Sequence, residues 1–172
     1  MTDDERKVCE GLLRGFPGRK EISKEDFLRQ FPTAVEQGKL SRQLLEQAYN
    51  GRNSDELECA LLVGFSFGFG LEHATILCQL VDEDWHESHE DAVWALDQLR
   101  TPMAIEPFFR ATQWVPGYLD FDEARALAVK AIWGLGNLPG SDAKAKLEIL
   151  ARSNDVIVRR NAEEQLERRM RE

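Results

Sequence analysis

The sequence predicts an all-α fold: a right-handed solenoid of antiparallel helix pairs, closed at one end by a helical N-terminal cap. Three observations carry that prediction. Ala92-Val-Trp-Ala-Leu-Asp-Gln-Leu99 is echoed 39 residues later by Ala131-Ile-Trp-Gly-Leu-Gly-Asn-Leu138, which puts Trp94 on Trp133, Leu96 on Leu135 and Leu99 on Leu138. The register holds downstream, where Ala104 pairs with Ala143 and Phe108 with Leu147, and a helical period of this length marks stacked repeats. Segment after segment also places apolar residues at helical spacing, as in Leu57, Ala60, Leu61 and Gly64. Finally, 42% hydrophobic and 31% charged residues over 172 positions describe a folded chain, long enough for about four to five repeats sharing one core.

Taken in order, residues 1–52 read as the cap and residues 53–172 as one continuous repeat domain. Ser23-Lys-Glu-Asp26 is a capping signal feeding Phe27, Leu28 and Phe31, and Pro32 stops that helix. Ser41 is expected to cap Arg42 to Tyr49, with Leu40, Leu44, Leu45 and Ala48 on one apolar face and Asn50-Gly51 at the C-terminus. Ser54 restarts the chain. Gly64-Phe-Ser-Phe-Gly-Phe-Gly70 lacks the spacing of a dinucleotide fingerprint and the Lys-Ser/Thr of a phosphate loop; it reads as a helix end, with Gly70 reversing the backbone. Glu72 to Val81 makes the next helix, with Ala74, Leu77 and Val81 inward. Asp82 to His89 is an acidic loop, and Ser88 caps a helix to Arg100. Pro102 starts the following helix and Pro107 is expected to kink it. Asp122 opens the helix carrying Trp133, Ser141 or Asp142 caps one through Ala151, and Asp155 starts a last, basic helix from Val156 to Arg171.

Charge is unevenly spread. The net charge of −9 combines +1 over residues 1–52, −13 over 53–124, where only Arg100 and Arg110 are basic, and +3 over 125–172. So acidic a middle repels phosphate backbones and attracts a basic partner. Nucleic acid is accordingly a poor fit, although the basic last helix (Arg159, Arg160, Arg168, Arg169) keeps it in view. The longest apolar run, around residues 60–69, is too short to span a bilayer, and the acidic start carries no secretory h-region, so no membrane role and a cytoplasmic location are expected. Cys9, Cys59 and Cys78 lack metal-ligand spacing and read as reduced thiols.

Ser88-His-Glu-Asp-Ala-Val-Trp-Ala-Leu and Val129-Lys-Ala-Ile-Trp-Gly-Leu-Gly-Asn-Leu resemble the HEAT-like repeats of phycobilisome-lyase relatives, and residues 158–166 resemble the first half of one more repeat. The resemblance runs from about residue 54 onward and implies fold rather than activity. One departure stands out: the link Gln113-Trp-Val-Pro-Gly-Tyr-Leu-Asp-Phe121 is longer than usual and carries three aromatics beside Asp120, Asp122 and Glu123. Insertions in solenoids emerge on one face, often the binding face. Trp114 and Phe121 either seal the gap between repeats or join the surface, and Tyr118, after Pro116-Gly117, is the residue expected to be most exposed.

Catalysis finds little support. His89-Glu90 resembles the His-Glu pairs of deoxyhypusine hydroxylase, a di-iron HEAT-repeat enzyme, but the positions one repeat on are Ala128 and Val129, which ligate nothing. His86 and His89, three apart, make at most a weak metal clip, and no serine sits in a nucleophile elbow. The expected role is therefore non-catalytic, without cofactor or metal: binding of another, basic protein through Asp82, Glu83, Asp84, Trp85, Glu106, Phe109, Trp114, Tyr118, Asp120 and Asp122. Size, acidity and helical build resemble cytoplasmic immunity proteins that occlude bacterial toxins. An adaptor or chaperone-like scaffold is the alternative, and a lyase-like chromophore site is a third.

Overall fold

The computed structural model describes residues 1–13, 21–36 and 38–171; parts of the predicted cap at 14–20 and 37 lie outside them. Among the described residues the fold is all-helical, with ten α-helices and short 3-10 turns. The chain forms two compact units, Met1–Ile76 and Leu77–Glu172. The boundary falls inside a helix, α5 (Ala74–Leu80), rather than at a loop.

The first unit holds α1 (Asp3–Glu10), α2 (Lys24–Gln30), α3 (Lys39–Gly51) and α4 (Ser54–Phe67). Thr2 and Glu5 form a reciprocal capping box at the start of α1. Ser23 caps α2 as its sequence predicts, its Oγ accepting from the Asp26 N–H at 3.0 Å. The terminal amine of Met1 reaches Glu56 at 2.8 Å and Arg6 reaches Asp55 at 2.7 Å, which pins α1 against α4. Cys9, Phe27, Ala34, Leu40, Cys59 and Val63 pack as a buried cluster, where each large side chain contributes about 1.5–3 kcal/mol.

Two expectations for this unit change. Ser41 is not a cap: α3 begins at Lys39, and the buried Ser41 Oγ donates back to the Gly38 carbonyl at 2.8 Å. Gly38, at φ +70°, makes that entry, and a side chain there would strike the His73 ring. The left-handed residue after α4 is Gly68 at φ +101°, whereas Gly70 is extended. Gly64 serves instead for close approach, since a Cβ on it would lie 2.1 Å from the Phe69 ring.

The second unit contains α6 (His89–Gln98), α7 (Ile105–Ala111), α8 (Ala126–Asn137), α9 (Ser141–Leu150) and α10 (Val156–Arg171). Helix α8 is its centre, packed by α6, α7, α9 and α10; α7 also meets α9, and α9 meets α10. Most echoed residues behave alike, the exception being Leu99, half-buried where Leu138 is buried. Leu96 and Leu135, Ala104 and Ala143, and Phe108 and Leu147 are buried, whereas Trp94 and Trp133 are 53% and 40% exposed. Gly134 stands where the earlier segment has Ala95 because the Phe108 ring fills its space: a Cβ would come within 2.5 Å. Side-chain bonds link α6, α8 and α10 in turn, Asn137 donating to Asp97 at 3.1 Å and Arg168 donating to Asn137 at 2.7 Å.

Helix starts in this unit follow backbone geometry more than side-chain caps. Asp155 caps α10 as expected, accepting from the N–H groups of Ile157 and Val158 at 2.9 and 3.2 Å. Asp122 acts four residues ahead of α8, accepting from Ala124 and Ala126. Neither Ser141 nor Asp142 is the cap of α9; Gly140, at φ +94°, takes that place. Pro107 is the third residue of α7, where its missing N–H leaves the Met103 carbonyl without a helical donor. The Cys78 thiol donates to that carbonyl at 3.6 Å.

Candidate functional site

The acidic loop and the 113–123 link come together around two histidines. The loop leaves α5 with orphan carbonyls, and imidazoles satisfy two of those nearby. His86 Nε2–H donates to the Leu80 carbonyl at 2.9 Å, while its Nδ1 accepts from the Ser88 N–H at 3.1 Å. His89, the first residue of α6, donates from Nε2 to the Glu83 carbonyl at 2.6 Å. That bond fixes its tautomer, so Nδ1 accepts the Tyr118 hydroxyl at 3.2 Å.

The rings build on this frame. His86 and His89 stack at 4.2 Å, and the Tyr118 ring lies 5.6 Å from that of His89 at an interplanar angle of 26°. Trp85 meets His86 edge-on at 4.9 Å and Trp114 meets His89 edge-on at 5.2 Å. Together with Asp84, Glu87, Pro116 and Gly117, these five rings line a cleft of about 230 Å³. Burial pushes His86 down to about 4 and lowers His89 as well, so both imidazoles are neutral near pH 7. Burial also pushes the Tyr118 phenol up to about 12, keeping its proton on the hydroxyl.

The ten residues expected to bind a partner divide into groups. Asp84, Trp85, Trp114 and Tyr118 line the cleft, and Glu83 supplies a carbonyl behind it. Tyr118 is half-buried and hydrogen-bonded, not the exposed residue of the link; that is Phe121, at 82%. Asp82 is tied to Arg110, which donates from Nε at 2.9 Å and from Nη2 at 2.6 Å. Glu106 and Phe109 form a separate cluster with Lys146, at 2.8 Å from the carboxylate and 4.2 Å from the ring centroid. Asp122 is occupied by the turn before α8. Asp84, Glu87 and Asp120 are exposed and in no ion pair among the described residues. His86, Glu87 and His89, absent from the expected set, also line the cleft. The His-x-x-His spacing flanked by Trp85 is the signal that marks them, once read as loop scaffolding rather than as a metal clip.

All four nitrogens of the histidine pair are committed to protein groups, so a metal would have to break those bonds. No group of three or more metal-binding side chains clusters among the described residues. In the first unit, buried His73 lies 2.9 Å from Ser41 Oγ and 3.7 Å from Glu72. The order resembles a nucleophile, base and acid, but Ser41 Oγ is buried and donates to Gly38, and His73 Nδ1 takes the Gly70 N–H at 3.0 Å. This is a staple between α3 and the 68–73 turn, with no face open to substrate. Among the described residues no helix is long and apolar enough to cross a membrane. No protein-family model matches the chain, and no curated protein matches it.

Proposed function

We propose that this chain is a non-catalytic, HEAT-like helical-repeat protein that docks a basic protein on the acidic, aromatic-lined cleft of its second unit. The observation that carries the reading is the cleft itself: five rings, three of them (His86, His89 and Tyr118) held by hydrogen bonds, with Asp84 and Glu87 at the mouth and neither in an ion pair among the described residues. Rigid, half-exposed aromatics flanked by carboxylates suit an interface anchor, while loose carboxylates alone would give only steering. The 39-residue echo and the packing of α8 against its four neighbours support a right-handed solenoid of helix pairs.

Within that class the favoured role is an immunity protein acting in the cytoplasm. Its carboxylates would stand in for the anionic substrate of a toxin, and the rings would exclude water from the contact. The test is capture of partners from lysate of the encoding cells at low and then high salt. A single stoichiometric, basic protein that loses affinity with salt supports an antidote. A set of weak, unrelated partners supports the adaptor reading instead.

A further inference from the structure

We propose that the cleft is an anchor pocket for the guanidinium group of one arginine side chain, presented by the basic partner; this rests on the docking reading above. Ring faces carry negative quadrupole density and attract a cation laid over them. Five aromatic rings, those of Trp85, His86, His89, Trp114 and Tyr118, line the space. Asp84 and Glu87 at the rim add acceptors for a planar N–H fork.

What the lining withholds points the same way. The imidazole N–H groups go to the Leu80 and Glu83 carbonyls and the Tyr118 hydroxyl goes to His89. An anion entering the cleft would therefore find those donors taken. The imidazoles are neutral near pH 7 and do not repel a cation. The positive end of α6 lies beside the cleft, but Asp91 in its first turn offsets the half charge of a helix terminus, while Glu90 there is paired with Lys130 at 2.7 Å.

Size narrows the ligand. A cavity of about 230 Å³ is smaller than the roughly 300–1,000 Å³ of small-molecule sites, so it suits one side chain. Guanidinium is planar, stacks on aromatic faces and sheds water more readily than an ammonium, which favours arginine over lysine.

The chain provides its own controls, because Trp85 and Trp114 line the cleft while Trp94 and Trp133 do not. The experiment follows the four indole N–H signals by NMR as N-acetyl-arginine amide is added. The expected result is saturable movement of the Trp85 and Trp114 signals, on the order of 1–10 mM, with Trp94 and Trp133 still. The neutral isostere N-acetyl-citrulline amide should bind at least tenfold more weakly, and so should arginine amide to the exposed double variant Asp84→Asn/Glu87→Gln. Equal shifts with citrulline, tighter binding of N-acetyl-lysine amide, or shifts confined to Trp94 and Trp133 would overturn the assignment. The two readings separate cleanly. If arginine amide fails while a basic protein is still captured, only the anchor falls; if it binds and no basic protein is captured, the pocket stands and the docking role falls.

Discussion

Acid should loosen the second unit before it protonates many carboxylates, and His86 sets the size of the effect. In an unfolded chain its imidazole takes a proton near pH 6.5, but burial in the loop pushes it down to about 4. Between those values the unfolded state binds more protons, so stability is complete above pH 6.5 and is lost as pH falls toward 4. For one such group the linkage relation gives a loss of about 2 kcal/mol between pH 7.5 and pH 5.0. Partial solvent screening at a surface loop reduces this to about 1–2 kcal/mol. His89, lowered by the same burial, adds in the same direction. The assay is urea unfolding at the two pH values, followed by tryptophan fluorescence, since Trp85 and Trp114 flank the pair. Relief of repulsion in a chain of net charge −9 opposes the trend, so His86→Gln is measured beside the wild type. The variant should be less stable at pH 7.5 and should lose less on acidification. A wild type as stable at pH 5.0 as at 7.5, with a variant of identical slope, would refute the reasoning.

Three further outcomes follow from packing. Gly134→Ala should lower stability by about 1–3 kcal/mol despite the better helix propensity of alanine, because the added methyl meets the buried Phe108 ring; thermal melting reads this directly. Gln165 is fully buried and neither polar atom of its amide has a hydrogen-bond partner among the described residues, so Gln165→Met should raise stability by about 1–2 kcal/mol, measured by the same melt. A thiol reagent should modify half-buried Cys78 before Cys9 and Cys59, which are buried together in the core of the first unit. Since burial also pushes Cys78 up to about 11, its labelling should be slow at pH 7 and quicken tenfold per pH unit toward 10; mass spectrometry of the labelled protein assigns the order.

Periodicity made the helices legible, and chemistry at their ends made them only partly so. Trp94 and Trp133 share a period because each belongs to the same turn of a similar helix, and both are half-exposed. Asp155 announces its helix because it sits directly before the apolar run Val156-Ile157-Val158, and Ser23 because the charged turn Lys24-Glu25-Asp26 after it leads into Phe27 and Leu28. Ser41 misleads because Gly38 already supplies the turn into α3, and the apolar-facing serine is drawn inward to Gly38 and His73. Ser141 misleads for the same reason, with Gly140 in the capping position. For the site, the sequence brought the acidic loop and the 113–123 link into view, and the structure joins them through Tyr118 and His89. A contact between residues 29 apart leaves no mark in local spacing. Nor does the spacing of Asp82 and Glu106 disclose that Arg110 and Lys146 take up their charge. A count of carboxylates in one segment overstates the charge a partner meets, since cations from elsewhere in the chain fold onto it.

On the proposed reading it is the cleft, and not acidity in general, that recognises a basic protein. The measurement that bears on it most directly is quantitative partner capture by three proteins: the wild type, an Asp84→Lys/Glu87→Lys variant, and an Asp3→Lys/Asp4→Lys variant with the same charge change at exposed residues of α1. Cleft reversal should abolish capture of the basic partner, while the α1 reversal should leave it within about twofold, since exposed charges that do not line an interface contribute little. Equal loss in both variants, or full capture by the cleft variant, would contradict it.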